Sequence, residues 1–502
     1  MKGKIIKYLV FVLSVFLFLV DDTFGFYVPN VIISKNGVLC HSTDIGYCSP
    51  LNEANLNISN VDENDTFTAY KILYGRYEMS SNAVTYAFTG TFSSFLSDSD
   101  TYANLTIDDY MNLTSGDITS GSTTTSSTLD KLASLYATYI KNNSISGTDM
   151  TTTGNTASAT LTAGTYLILP KTSSKVYAVM VGNLQMEGTT DNTWTLNDTS
   201  IVAKVSDVSI NKYVEDIDNT TSSFKIDDTY KYYVVGTVPT YPTNSINRVY
   251  TITDTLGTGI SLSGISSFVI KDGETTLTTK SDGTVVNSSG NTVATISISG
   301  QTVTITFDVN YVTTNKVTVT YEAKLNSSAV LGDTGNINSA VLTYSNDPYG
   351  TGTTTVTSST TVYTYGLELF AYKSGTSTGI SNMTFDVYTD SSLSEKVGTI
   401  TTDSTGKCTL VGVAEGTYYL KNTKTASGYS LAAITSMKVK TTGAVSGSTD
   451  GYYKVEIPVN SSGILPFTGG TGTIIYTIFG LIIIMSGVTG YVLYKKNKNK
   501  NK

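Results

Sequence analysis

Histidine is almost missing from this chain. A single one, His41, stands among 502 residues, so Ser-His-Asp and Cys-His catalytic sites and the usual multi-His zinc sites are improbable. Arginine is nearly as scarce, with only Arg76 and Arg248, and the formal net charge is −8. A nucleic-acid surface is not available from that balance. Charged residues make up 14% and proline occurs 8 times. There are 3 cysteines, too few for disulfides to be the main staple of a chain this long. Cys40 and Cys48 are close enough in sequence to close a small loop, and Cys408 is left over in "STGKCTL", where strand alternation buries it as a small hydrophobe. The acidic runs "DEND" (62–65) and "SDSD" (97–100) follow no calcium-ligand spacing and read as solvated turns. Neither a metal nor a cofactor is expected.

Tyrosine, by contrast, is abundant at 35, and Thr and Val recur in alternating runs such as "TVTITFDVNYVTTNKVTVTYEAKL" (302–325). Period-two alternation of β-branched and aromatic residues argues half-buried strands. Only "STLDKLASLYATYIKNN" (127–143) offers a helix. The fold class expected is all-β, as tandem sandwiches. Composition divides the chain into 1–25, a first region 26–200, a second 201–362, a third 363–464 and a tail 465–502, with a Gly/Thr/Ser-rich joint, "TGTTTVTSSTT" (351–361), before the third region. No long linker intervenes, so the regions are expected to abut as a stiff, elongated rod.

The two ends fix the compartment. Lys2, Lys4 and Lys7 precede the apolar run Tyr8–Val20, and Thr23 and Gly25 suit the cleavage subsites of a signal peptide, with a mature start near Phe26. At the other end 473–494 is uncharged, and at helical rise it spans roughly 33 Å, enough for a bilayer core. Five lysines follow it and hold the C-terminus in the cytoplasm. Everything between is expected outside the cell. Leu465-Pro466-Phe467-Thr468-Gly469 sits directly before the span, and motif, span and basic tail resemble the LPXTG sorting signal of Gram-positive surface proteins. In that family a sortase cysteine attacks the Thr carbonyl and cuts the Thr–Gly bond. Pro466 presets an extended backbone and the glycines let an enzyme approach.

From about 200 onward the chain resembles the Gram-positive major pilins, with successive immunoglobulin-like modules. The second region is similar to their isopeptide-forming domain and the third to a collagen-adhesin B-type domain; the first is similar only through "AYKILYG" and "AGTYLI". In such modules a first-strand Lys attacks a last-strand Asn, assisted by a buried acid. The resemblance carries these roles to Lys212 in "INKYV", Asn338 in "GNINSAVLTYSN" and Asp254 in "YTITDTL". A buried amine is neutral and nucleophilic, and a buried carboxyl stays protonated and polarises the amide. Asn336 shares the strand face of Asn338 and is the rival acceptor; the family match favours Asn338. In the third region Lys373 and Asn460 occupy donor and acceptor positions, but Asn422 stands where the family has its Glu. Asn relays no proton, so either Glu368 substitutes or the cross-link is absent, the reading favoured here. In the first region Lys71 is a lone candidate. Lys204 stands where the family carries the lysine that joins one subunit to the next, though Val-Ala replaces the family's aromatic-Pro pair.

The resemblance implies a non-enzymatic shaft subunit of a sortase-assembled pilus on the cell wall. The implied partners are class C-type and housekeeping sortases, neighbouring pilin subunits, peptidoglycan and a host surface ligand. The alternative is an adhesin linked singly to peptidoglycan; a wall-acting hydrolase built on two carboxylates ranks last.

Overall fold

The computed structural model describes residues 32–41, 47–111, 127–242, 244–440, 450–462 and 471–498. The expected signal peptide and the whole of Leu465–Gly469 lie outside the described residues.

The first region is built on a nine-stranded sheet whose main path runs Met180–Leu184, Gly164–Thr172, Thr66–Glu78, Thr148–Thr153, Thr156–Thr162, Glu53–Ser59 and Thr199–Val202. The all-β architecture holds, and two helices pack on this sheet. In Ser127–Asn142, Leu129, Leu132, Ala133, Tyr136, Ala137 and Ile140 are all buried, the spacing of one helical face. That face meets Phe92, Phe95 and Leu96 of Gly90–Ser97, and Leu167 and Leu169 of the sheet. Thr89 caps the shorter helix by accepting from the Phe92 N–H at 3.3 Å. The region also reaches beyond 200: Thr199–Val202 pairs with Glu53–Ser59, and Val205–Ser206 with Val176–Tyr177.

The second region is a sandwich. One sheet holds Ile210–Val214, Thr229–Thr237, Lys316–Leu325 and Val269–Asp272; the other centres on Thr354–Tyr363, Asn336–Tyr344, Tyr250–Leu256 and Thr302–Phe307. Alternation sends Val317, Val319, Tyr321, Ala323 and Leu325 of one strand inward, against Ile252, Val303, Ile305 and Leu342 of the facing sheet. Each of the Val, Ile and Leu side chains among them stabilises the fold by about 1.5–3 kcal/mol when fully buried. The stretch 351–361, expected to be a joint, is mostly strand: within Thr354–Tyr363, every residue from Thr354 to Val362 pairs with Asn336–Tyr344. Its threonines are β-branched and suit a half-exposed ladder.

The third region follows after Thr364 alone. Tyr365–Lys373 lies between Lys407–Val413, antiparallel, and Tyr452–Val459, parallel, and a four-stranded sheet centred on Thr384–Tyr388 and Gly416–Lys424 faces them. Ile226 N donates to the Gly412 carbonyl at 3.0 Å. Gly412 has φ +79°, and a Cβ there would fall 2.4 Å from the Ile226 side chain, so this junction between regions requires glycine.

At its other end the second region enters the first. Tyr349 is 1% exposed, buried among the helices and Leu167 and Leu169, and Lys141 pairs with Asp347 at 3.0 Å. Asn346 Nδ2 donates to the Ser173 carbonyl at 2.6 Å. A final helix, Thr471–Lys498, contains the exposed apolar span Thr477–Lys496, long enough to cross a membrane.

Candidate cross-linking site

Four strands of the second region bring their inward side chains to one point. In Ile210–Val214 the alternation buries Ile210, Lys212 and Val214, and Lys212 is 0% exposed. Asp254 is buried from Tyr250–Leu256 in the facing sheet. That strand pairs Asp254 with Ala340 and Leu256 with Asn338, so the acid and the amide are diagonal neighbours on one face. Tyr321 reaches them from Lys316–Leu325, in the sheet of Lys212.

The contacts are direct. Lys212 Nζ donates to Asp254 Oδ2 at 2.5 Å and to the Tyr321 hydroxyl at 2.9 Å. That hydroxyl donates to Asp254 Oδ2 at 2.6 Å and accepts from Asn338 Nδ2 at 2.7 Å. The rings of Tyr232 and Tyr321 lie 4.7 and 5.2 Å from Nζ, and Phe268 stacks on Tyr321. Asp254 Oδ1 and Asn338 Oδ1 are buried with no hydrogen-bond partner among the described residues. Burial pushes the Lys212 amine below the ordinary lysine range, against the pull of Asp254. The same burial holds the Tyr321 phenol well above its usual value. A neutral amine is the form such a site favours, since an ion stripped of water costs several kcal/mol.

The other expected residues separate clearly. Asn336 is buried on the same face as Asn338, but its amide is committed to backbone: Oδ1 accepts from Val330 N at 2.9 Å, and Nδ2 donates to the Val330 and Val362 carbonyls. It holds a loop. Asn338, expected on the last strand, lies on the last but one, because Thr354–Tyr363 continues the sheet. In the third region the parallel register sets Lys373 opposite Val459, one residue before Asn460, yet both side chains are exposed and no acid joins them. Asn422 instead ties backbone, donating to the Thr384 and Lys424 carbonyls and accepting from Ala432 N. Glu368 lies near Lys407 and Lys454, at 3.7 and 3.8 Å, not near Lys373. Among the described residues no acid is brought to Lys373 and Asn460.

Lys71 is half-buried over the Tyr166 ring and donates to Thr162 Oγ1 at 2.5 Å; burial pushes its amine down to about 8. The Lys204 side chain is exposed just after Thr199–Val202, with its carbonyl accepting from Ala178 N. Cys40 and Cys48 form a disulfide with Cα atoms 5.8 Å apart. The residue that sequence reasoning missed is Tyr321. Its inward parity in "KVTVTYEAKL" was available, but nothing in that run distinguishes a tyrosine that packs from one whose hydroxyl bridges a lysine, an acid and an amide.

Comparison with known proteins gives two family matches: the prealbumin-like fold domain over residues 368–451, and the LPXTG cell wall anchor motif over 458–502. The trypsin-resistant surface T6 protein of Streptococcus pyogenes serotype M6 is 26% identical over 249 residues, 46% of this chain and 45% of that protein. The chain thus spans about half the length of this curated relative. Among solved structures, the T6 backbone pilin of the same serotype superposes with a TM-score of 0.64 at 18% identity, covering 83% of this chain and all of that one. The full-length major pilin SpaD of Corynebacterium diphtheriae gives 0.50 at 16% identity, over 82% of this chain and 98% of that one. At such identities these two show a shared fold.

Proposed function

We propose that this LPXTG-anchored cell-surface protein, related to the Gram-positive major pilins, is a structural shaft subunit of a sortase-assembled pilus, with one internal Lys212–Asn338 isopeptide bond. The observation that carries the reading is the fully buried set of Lys212, Asp254 and Asn338, joined through the Tyr321 hydroxyl. Lys212 Nζ bonds to Asn338 Cγ, the Cγ–Nδ2 bond breaks, one proton passes from Nζ to Nδ2, and ammonia leaves. No oxidant or cofactor enters. In this reading Asp254 acts as the acid that polarises the Asn338 carbonyl under attack. The fold holds amine and amide on one hydroxyl, which replaces a bimolecular encounter by a near-attack arrangement. It turns over once, on itself.

Between subunits the same kind of bond is made by an enzyme. A class C-type sortase cuts after Thr468 and transfers its acyl group to Lys204 of the next subunit; a housekeeping sortase passes the finished polymer to peptidoglycan. The exposure of Lys204 supports its role. The regions proposed as functional units are 26–200, 201–362 and 363–464. Two measurements test the reading. Intact mass of the recombinant ectodomain is expected to fall short of the encoded mass by one ammonia, and Lys212→Ala restores the full mass. Wall extracts are expected to give a ladder of boiling-resistant multimers on a denaturing gel. A single wall-linked band would instead identify a singly anchored adhesin.

A further inference from the structure

Isopeptide formation needs one proton to travel from the attacking nitrogen to the departing one. Lys212 Nζ is bonded to Asp254 Oδ2 and to the Tyr321 hydroxyl, and Asn338 Nδ2 is bonded to that same hydroxyl. The acid therefore touches the nucleophile, and the phenol touches the nucleophile, the acid and the leaving group. We propose that Tyr321 is a catalytic residue of the cross-linking reaction, its hydroxyl relaying the proton from Asp254 to the departing Asn338 nitrogen. The proposal rests on the isopeptide reading above.

The atoms balance. As Nζ attacks Cγ, the proton of Asp254 Oδ1 passes to Asn338 Oδ1, and a proton of Nζ passes to Asp254 Oδ2. The tetrahedral intermediate is neutral, and the amide nitrogen, no longer conjugated, gains a basic lone pair. The Tyr321 hydroxyl then turns to Nδ2 and gives up its proton, while the proton on Asp254 Oδ2 moves to the phenol oxygen. The Cγ–Nδ2 bond breaks, ammonia departs, and the hydroxyl proton on the former carbonyl returns to Asp254 Oδ1. Acid and phenol end as they began. Because burial holds the phenol well above its ordinary range, a phenolate is not a resting form, and giving and receiving occur together. The distances suit this, at 2.6 Å from the phenol to Oδ2 and 2.7 Å to Nδ2. Stacking on Phe268, with ring centroids 4.9 Å apart, holds the ring in place.

The test follows the ectodomain as it folds after cell-free synthesis, before any cross-link has formed, by intact mass against time. Tyr321→Phe keeps the ring and removes the relay, and loss of the ammonia is expected to slow by about 100-fold or more. Tyr250→Phe removes another buried tyrosine hydroxyl of the same core, one bonded to the Thr237 carbonyl, and is expected to leave the rate at the parent's. Formation at the parent's rate in Tyr321→Phe would overturn the proposal and reduce Tyr321 to packing. A parent that never loses ammonia refutes the isopeptide reading itself, a distinct outcome. Should Tyr321→Phe fail to fold by circular dichroism, 3-fluorotyrosine placed at 321 keeps shape and hydroxyl but makes the phenol more acidic. A severalfold change in rate then supports the relay, and an unchanged rate overturns it.

Discussion

Replacing Lys212 with Met keeps the buried aliphatic stem and removes the amine, so the core stays filled while the cross-link is lost. The bond would tie residue 212 to residue 338, closing a loop of 126 residues in the second region. Closing a loop of that size removes about 5 kcal/mol of chain entropy from the unfolded ensemble. For a region of this length each kcal/mol moves the midpoint by about 2–4 °C, so the expected drop is about 10–20 °C. Asp254 keeps its bond from Tyr321 in this variant. Differential scanning calorimetry of the ectodomain measures the shift. Asn338→Leu cuts the same link from the other side and should produce a drop of similar size, whereas loss of local contacts alone would make the two variants differ. A midpoint within about 3 °C of the parent for both, with the parent short by one ammonia, would refute the claim that the bond carries this region's stability.

Lys204→Arg is expected to abolish the multimer ladder on a denaturing gel while leaving the ammonia deficit intact, since the two bonds use different lysines. Lys71 has a folded-state pKa of about 8 against an ordinary value of 10.5. The unfolded chain therefore binds more protons between those values, and the first region gains stability as pH rises through that window. Below about pH 8 the full cost of burying the ammonium is present, so Lys71→Met should raise the first region's midpoint at pH 7 and lose that advantage by pH 10, as pH-dependent thermal unfolding would show. Tyr349→Ala empties a site inside the first region's helical layer and is expected to cost about 3–5 kcal/mol there, read as an earlier unfolding transition for that region.

Much of this architecture was legible because period two and period 3.6 leave different traces. Lys212, Asp254 and Asn338 were reached through the resemblance to the major pilins, and the alternation along their strands turns all three inward, while the helix at Ser127–Asn142 shows in the spacing of Leu129, Leu132, Tyr136 and Ile140. The short helix Gly90–Ser97 was not legible, since two turns carry almost no periodic signal and only Thr89 marks its start. The strand Thr354–Tyr363 looked like a linker because its outward residues are Thr and Ser, whose polarity hides their fitness for an exposed ladder. Asn338 and Asn336 could not be separated by parity. What separates them is three-dimensional: one amide meets a phenol and the other meets backbone. Tyr321 lay beyond reach for the same reason, as its hydroxyl partners come from strands distant in sequence. The departure at Asn422 was visible, and the fold explains it, because an amide that fastens three backbone groups needs no acid.

The third region begins and ends on neighbouring strands that run the same way, Tyr365–Lys373 beside Tyr452–Val459. A pull arriving at Tyr365 and departing from Val459 drags these strands past each other along their length. The rungs between them are then sheared all at once, whereas strands separated from one end part rung by rung. Mechanical resistance in this region thus comes from geometry, where its neighbour has the proposed covalent brace.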